Sequence, residues 1–212
     1  MPTRIKICGV TRLKDALLAV DLGAAALGFN FYPPSPRYIG PAAAHAIVRQ
    51  LPLFVTAVGV FANETDAGHV ISLAHQAGVT AVQMHGPGFP ALHELLSAFT
   101  LVVVVAVRED FKPEELGRFK PSAYLLDAFD PERLGGTGKT FDWNAARAAS
   151  KYGPIILAGG LTPENVARAV REVRPFAVDV ASGVESAPGI KDPAKLRAFF
   201  AAVAEADREC SP

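Results

Sequence analysis

Two apolar runs in this 212-residue chain end on side chains that can move protons. "RIKICGVT" sets the thiol of Cys8 between an apolar stretch and a glycine, and "YLLDAF" brings the carboxyl of Asp127 to the end of another. A thiol so placed can be core filler, half of a disulfide, a metal ligand, a nucleophile or a base. A carboxyl among leucines is costly unless it is paired, hydrogen-bonded or kept protonated, so Asp127 needs either a structural partner or a chemical task. By alternation Lys6 shares a strand face with Cys8. Asp179, in "AVDVASG", is a candidate ion-pair partner for Lys6 and also a candidate substrate contact. Arg37 sits in the proline-stiffened "YPPSPRYIG", where a held guanidinium would suit bidentate recognition of a carboxylate.

A second group of residues is suited to anions. "LAGGLTPEN" and "VASGVESAPG" are each a strand running into a small-residue turn. Such turns expose backbone N–H groups, with a helix dipole behind the first, and a phosphate fits at Gly159, Gly160, Ser182 and Gly183. Gln83 and His85 of "VQMHG" share a strand face, and Arg108 closes "LVVVVAVR"; both segments supply candidate substrate contacts. "LGGTGKT" invites a Walker A reading that fails, because Arg133 stands where a glycine is required. What remains is a glycine loop, including Gly136, that allows close backbone approach to a ligand. His45, His69, His75 and His93 fall in helical segments, and "HELLS" lacks the second histidine of a zinc motif, so no metal is expected.

The elements that position these groups repeat. Eight β-rich runs, "RIKICGV", "ALGFNFY", "FVTAVGVFA", "AVQMHG", "LVVVVAVR", "AYLLDAF", "PIILAGGL" and "FAVDVASGV", alternate with segments of helical periodicity such as "LKDALLAVDLG", "FPALHELLSAF" and "PENVARAVREV". Near-continuous Val, Ile and Leu within the strands predicts a parallel sheet buried on both faces. Thr162–Pro163 and Asp192–Pro193 each set an N-cap before a proline, and Gly23 and Gly78 stand where C-caps belong. The fold class is therefore α/β, and eight such units close into a (β/α)8 TIM barrel. A doubly wound open sheet shares the alternation, but no G-x-G-x-x-G follows the first strand. In a barrel, active sites lie at the C-terminal ends of the strands and phosphate is held after strands seven and eight, which gathers every residue named above as a candidate at one mouth.

Composition narrows the class. The 21 basic and 21 acidic side chains cancel, which leaves no footprint for nucleic acid or an anionic membrane and favours a small-molecule partner. Two cysteines, Cys8 and Cys210, make no disulfide framework, and the longest apolar run is too short to span a bilayer, so a cytoplasmic location is expected. Residues 1–212 read as a single catalytic domain with a frayed tail near 207–212.

Through "KICGVT", "ALGFNFYPPSPRYI", "VQMHG", "LLDAF", "GGTGKTFDW", "ILAGGLTPENV" and "DVASGVESAPGIKD", the chain resembles the phosphoribosylanthranilate isomerase family of tryptophan biosynthesis essentially end to end. Met84, where the family more often has leucine, is a volume-conserving departure. The resemblance implies a barrel of the ribulose-phosphate-binding type and an Amadori rearrangement of N-(5-phosphoribosyl)anthranilate to 1-(2-carboxyphenylamino)-1-deoxyribulose 5-phosphate without a cofactor. It implies Cys8 as general base, Asp127 as general acid, Arg37 near the anthranilate carboxylate, and phosphate on Gly159, Gly160, Ser182 and Gly183. Monomer and homodimer are both open. A related phosphosugar aldose-ketose isomerase on the same barrel is the nearest rival, but such enzymes resemble this chain while carrying aspartate at the end of strand one. A non-catalytic phosphate-binding barrel is the other, and it would not need Cys8 and Asp127 together. The implied chemistry sets a difficulty: with ordinary pKa values, the ionised thiol is roughly 3% and the neutral carboxyl roughly 0.1% populated at pH 7, so the productive pair lies about 6 kcal/mol uphill.

Overall fold

Eight parallel strands close into a barrel, each hydrogen-bonded to its neighbours in sequence and the last to the first. They are β1 (Arg4–Ile7), β2 (Ala26–Asn30), β3 (Thr56–Ala62), β4 (Ala81–His85), β5 (Thr100–Val107), β6 (Ala123–Ala128), β7 (Ile155–Leu157) and β8 (Ala177–Val180). The computed structural model describes residues 1–86, 96, 98–108, 110–118, 120–128 and 143–210. Among these the α-helices are α1 (Leu13–Asp21), α2 (Pro41–Val48), α3 (Ala67–Ala77), α4 (Trp143–Ala149), α5 (Val166–Val173) and α6 (Pro193–Cys210). The expected "FPALHELLSAF" helix, with His93, falls mostly outside the described residues. Between β5 and β6 the chain makes a 3-10 turn, Pro113–Arg118, rather than an α-helix; the segment is short and carries both Pro113 and Gly117.

Both strand faces are buried, and by different partners. The outward residues, among them Ile7, Leu27, Phe29, Val82, Met84, Leu126 and Leu157, pack with helix residues such as Ala16, Val70, Val170 and Phe199 into the main core. Inward, Val102, Ala123, Leu125, Ile156, Ala158 and Ala177 form a separate apolar plug. This double burial is the physical origin of the unbroken Val/Ile/Leu runs. Above the plug the inward positions change from apolar to ionisable, at Lys6, Asp179 and Asp127, so the barrel's chemistry sits on a packed floor.

Caps fix the helix ends that border the mouth. Asp192 Oδ1 accepts the N–H groups of Ala194 and Lys195 at 2.8 and 3.1 Å, as expected for the start of α6. Regular α5 begins at Val166, later than the predicted start at Thr162–Pro163. Asn165 accounts for the difference: it accepts from Thr162 N at 2.8 Å and donates to the Gly160 carbonyl at 2.8 Å, holding the chain in a turn before the helix. An antiparallel hairpin, β9 (Glu185–Ala187) and β10 (Ile190–Lys191), follows β8 and turns at Pro188–Gly189. The helix α6 runs to Cys210, past residue 207 where fraying is predicted. The Thr3 N–H and hydroxyl each reach the Asp207 carboxylate at 2.7 Å, and Arg171 pairs with Glu209, so the last turns are tied down. No helix among the described residues is long and apolar enough to cross a membrane.

Candidate active site

The inward face of β1 presents Lys6 and, one position beyond the strand, Cys8. Lys6 Nζ donates to Asp179 Oδ1 of β8 at 2.7 Å, with side-chain exposures of 4% and 9%, so two charges taken from water satisfy each other across adjacent strands. Space for this pair comes from Gly28 on β2. A Cβ there would lie 2.9 Å from Cys8 Sγ and 3.2 Å from Lys6 Nζ, which places the sulfur and the ammonium side by side over one glycine. Burial pushes the Cys8 thiol up from its ordinary value; Lys6 and Lys191 pull it down, Asp179 pushes it up, and the net direction is up. Burial works against the Lys6 charge, but Asp179 and Cys8 outweigh it and hold the ammonium above its usual range.

Asp127, at the mouth end of β6, is the opposite case. Burial, reinforced by the negative charge of Asp179, raises its carboxyl to about 6, against smaller downward pulls from the Ala128 N–H and Lys6. One aspartate therefore acts on both groups: Asp179 adds to burial in favouring the protonated form of Asp127 and opposes ionisation of Cys8, while its partner Lys6 favours the thiolate. The carboxyl lies directly under the turn after β7. A Cβ on Gly159 would sit 3.0 Å from Asp127 Oδ1 and 2.6 Å from Ala128 N, and its φ of +82° is left-handed, so glycine is required twice over. Gly183, after β8, meets the same turn so closely that a Cβ would fall 1.9 Å from the Leu161 carbonyl oxygen. The turns at Gly159–Gly160 and Ser182–Gly183 are thus in contact. Among the described residues, their backbone N–H groups donate to no protein acceptor. Four unpaired donors at the ends of β7 and β8 are suited to a phosphate dianion.

Arg37 reaches back over the end of β1, with its Cδ 2.5 Å from where a Cβ on Gly9 would be. Its guanidinium is held by Glu185: Nε donates to Oε1 and Oε2 at 3.0 and 3.1 Å, and Nη2 to Oε2 at 2.7 Å. Lys191 Nζ takes the other side of Glu185 Oε1 at 2.8 Å. Burial works to raise the Glu185 carboxyl, yet the hydrogen bonds from Arg37 and the charge of Lys191 hold it below the usual range. Two cations around one carboxylate leave a net positive charge beside Cys8, suited to a second anion.

Gln83 and His85 point from β4 as alternation predicts. Gln83 is buried, and among the described residues its Oε1 and His85 Nδ1 have no hydrogen-bond partner. Burial holds His85 below its ordinary pKa, so the ring is neutral at pH 7. Arg108 follows β5 with an exposed side chain. Gly136 lies outside the described residues. Sequence reasoning missed Asn165, Glu185 and Lys191; the Pro188–Gly189 dipeptide was the available signal for the hairpin that delivers the last two.

The arrangement offers an acid near neutrality, a thiol beside an ammonium, an anion site on the last two strands and a cationic cluster beside the end of β1. A family model described as N-(5'phosphoribosyl)anthranilate (PRA) isomerase matches residues 5–202. An N-(5'-phosphoribosyl)anthranilate isomerase of Citrifermentans bemidjiense is 51% identical over 199 residues, covering 94% of this chain and 96% of the relative. The crystal structure of the phosphoribosyl anthranilate isomerase of Thermotoga maritima superposes with a TM-score of 0.88 at 40% identity, covering 96% of this chain and 99% of the other. A further isomerase structure, in complex with reduced 1-(o-carboxyphenylamino)-1-deoxyribulose 5-phosphate, superposes with a TM-score of 0.84 at 38% identity, covering the same shares. Sequence motifs, barrel and mouth residues agree, and the chain belongs to the phosphoribosylanthranilate isomerase family.

Proposed function

We propose that this chain, as one catalytic domain, isomerises N-(5'-phosphoribosyl)anthranilate to 1-(2-carboxyphenylamino)-1-deoxyribulose 5-phosphate in tryptophan biosynthesis. The observation that carries the reading is the coexistence at one mouth of a buried carboxyl, its pKa pushed up to about 6 by burial and Asp179, and a thiol beside a buried ammonium. The phosphate is held by the N–H groups of Gly159, Gly160, Ser182 and Gly183. Asp127 protonates the ring oxygen, the furanose opens to a Schiff base, and the Cys8 thiolate removes the C2′ proton to give an enolamine that tautomerises to the ketone. Gln83, His85 and Asp179 line the same mouth as candidate substrate contacts; Arg108 and Gly136 are further candidates. Acid and base suffice, so no cofactor is required. A cytoplasmic location, with both cysteines unpaired, belongs to this reading. The Thermotoga maritima relative is described as dimeric. The proposed residues come from one chain, so a monomer and a homodimer both carry the whole site. The test is the fluorescence of phosphoribosylanthranilate generated in situ: purified protein accelerates its loss, and no acceleration overturns the reading.

Burial of Asp127 removes part of the protonation difficulty. Raising its pKa to about 6 lifts the neutral fraction at pH 7 from roughly 0.1% to roughly 10%, worth about 3 kcal/mol. The expected pH profile follows. Below pH 6 the carboxyl is neutral and kcat/KM climbs with the thiolate fraction. Between the two pKa values, loss of neutral Asp127 cancels gain of thiolate and the profile is flat. Above the Cys8 pKa only the loss remains, and the rate falls. The acid limb therefore belongs to Asp127 and the alkaline limb to Cys8, as macroscopic values of a coupled pair. Asp179→Asn should move the acid limb downward, because it deletes a charge that raises Asp127. An acid limb that stays in place rejects this electrostatic link.

Arg37 is the proposed contact for the anthranilate carboxylate, through the edge of the guanidinium outside the Glu185 pair. Arg37→Ala is expected to raise KM by about tenfold or more with a smaller change in kcat, the pattern of lost ground-state binding. Steady-state kinetics decide it, and an unchanged KM removes Arg37 from that role.

A further inference from the structure

The isomerisation uses Cys8, Asp127, Arg37 and the phosphate turns, and leaves a fully buried lysine without a task. Lys191 has a side-chain exposure of 0%, and Glu185 beside it 4%. The three protons of its ammonium match three acceptors: the Cys8 carbonyl at 2.6 Å, the Ala181 carbonyl at 3.2 Å and Glu185 Oε1 at 2.8 Å. These acceptors belong to the segments that carry the proposed base, the turn after β8, and the carboxylate that clamps Arg37. The main-chain N–H of Lys191 is itself fixed, at 3.0 Å from Asp15 Oδ2, and Asp15 is held in turn by two hydrogen bonds from Arg12. Burying an ammonium is costly, and a purely structural brace between two loops could be made by neutral groups without that cost.

We propose that Lys191 and Glu185 are positioning residues of the reaction: Lys191 locks the Cys8 backbone to the phosphate turn at a fixed separation, and Glu185 presents Arg37 to the substrate carboxylate. The proposal rests on the isomerase reading above. Its logic is geometric. Phosphate and carboxylate are the two anionic ends of the substrate, and the proton to be removed lies between them. One ammonium that grips the base segment, the phosphate turn and the carboxylate clamp sets all three distances together. Its charge also faces the thiol, together with Lys6 and Asp179, the other charged groups packed against Cys8.

Lys191→Met keeps length and burial but removes the three hydrogen bonds and the charge. The expected result is a loss of about 100-fold in kcat, the scale on which misplacement of about 1 Å acts, with the alkaline limb of kcat/KM moved upward. Glu185→Gln leaves Lys191 its two carbonyl acceptors and is expected to raise KM by about tenfold while kcat changes little. A role confined to folding would lower the active fraction and leave KM and the pH limbs in place, so either variant giving that pattern, or parental kinetics, overturns the proposal. Should Lys191→Met not fold, Glu185→Gln decides alone, and an unchanged KM there is a refutation. In a Cys210→Ser background, alkylation of Cys8 by iodoacetamide gives a readout independent of turnover: its pH midpoint rises in Lys191→Met. Parental protein without isomerase activity defeats the isomerase reading itself, whereas active parental protein with unaltered variants defeats only the positioning role.

Discussion

Asp127→Asn is expected to fold at least as stably as the parental chain and to turn over about 10²- to 10⁴-fold more slowly, the range general acids contribute. The two halves of this expectation come from the same physics. A carboxyl whose folded pKa lies above its unfolded value gives its full stability only below the unfolded value, near 3.9, and loses it as pH rises through 3.9 towards the folded value. With a folded value of about 6, the ionised side chain at neutral pH works against the native state by up to about 3 kcal/mol, the cost of burial and of facing Asp179. Asparagine has the same shape, can still accept the Ala128 N–H, and carries neither charge nor proton to deliver. The native state therefore gains while ring opening loses its acid. Urea unfolding at pH 7.5 beside turnover in the fluorescence assay checks both signs at once. A variant that is less stable and inactive would indicate a structural carboxyl, and near-normal turnover would remove Asp127 from the mechanism.

How much of this was legible in the chain depends on how far each signal reaches along it. The barrel was, because a parallel sheet buried on both faces imposes a local pattern at every strand, and eight repetitions leave few architectures. Cys8, Asp127 and the glycine turns were legible for a related reason: a strand end is a local feature, and the fold assigns strand ends to the mouth. Lys6 and Asp179 lie 173 residues apart, and their pairing could be proposed only because alternation put both on inward faces of adjacent strands. Glu185 and Lys191 gave no such handle. Their partners Arg37 and Cys8 are 148 and 183 residues away, and they sit on a hairpin outside the eightfold repeat. Nothing local in "ESAPGIKD" names those partners, and only barrel closure brings them together. The start of α5 was missed for the converse reason. Thr162–Pro163 is a sound local signal, but Asn165 spends its side chain on the phosphate turn and delays the helix by three residues.

Cys8→Ser is expected to lose about 10³-fold or more in kcat across the whole accessible pH range, and to do so without unfolding. The substitution exchanges sulfur for a smaller oxygen at a half-buried site, with the same backbone and the same Lys191 bond to the Cys8 carbonyl. What changes is the base. Burial already pushes the thiol up, so fewer than roughly 3% of molecules carry the thiolate at pH 7. That population is workable because a base of higher pKa removes a carbon-bound proton with more driving force, which offsets part of its scarcity. Lys6 and Lys191 supply the countercharge when the thiolate forms, and in the productive pair Asp127 is protonated and adds no competing negative charge. A serine hydroxyl in the same place ionises so much less that two lysines cannot compensate, and the alkaline limb assigned to Cys8 should vanish from the kcat/KM profile. Asp127 keeps its acid limb, since nothing that sets its pKa other than distant charge has moved. The decisive measurement is the full pH profile of Cys8→Ser with circular dichroism confirming the fold. Turnover within about tenfold of parental, or an alkaline limb that survives the substitution, would assign proton removal to another group, and His85 at the same mouth, neutral and with its Nδ1 unpaired among the described residues, would be the residue to test.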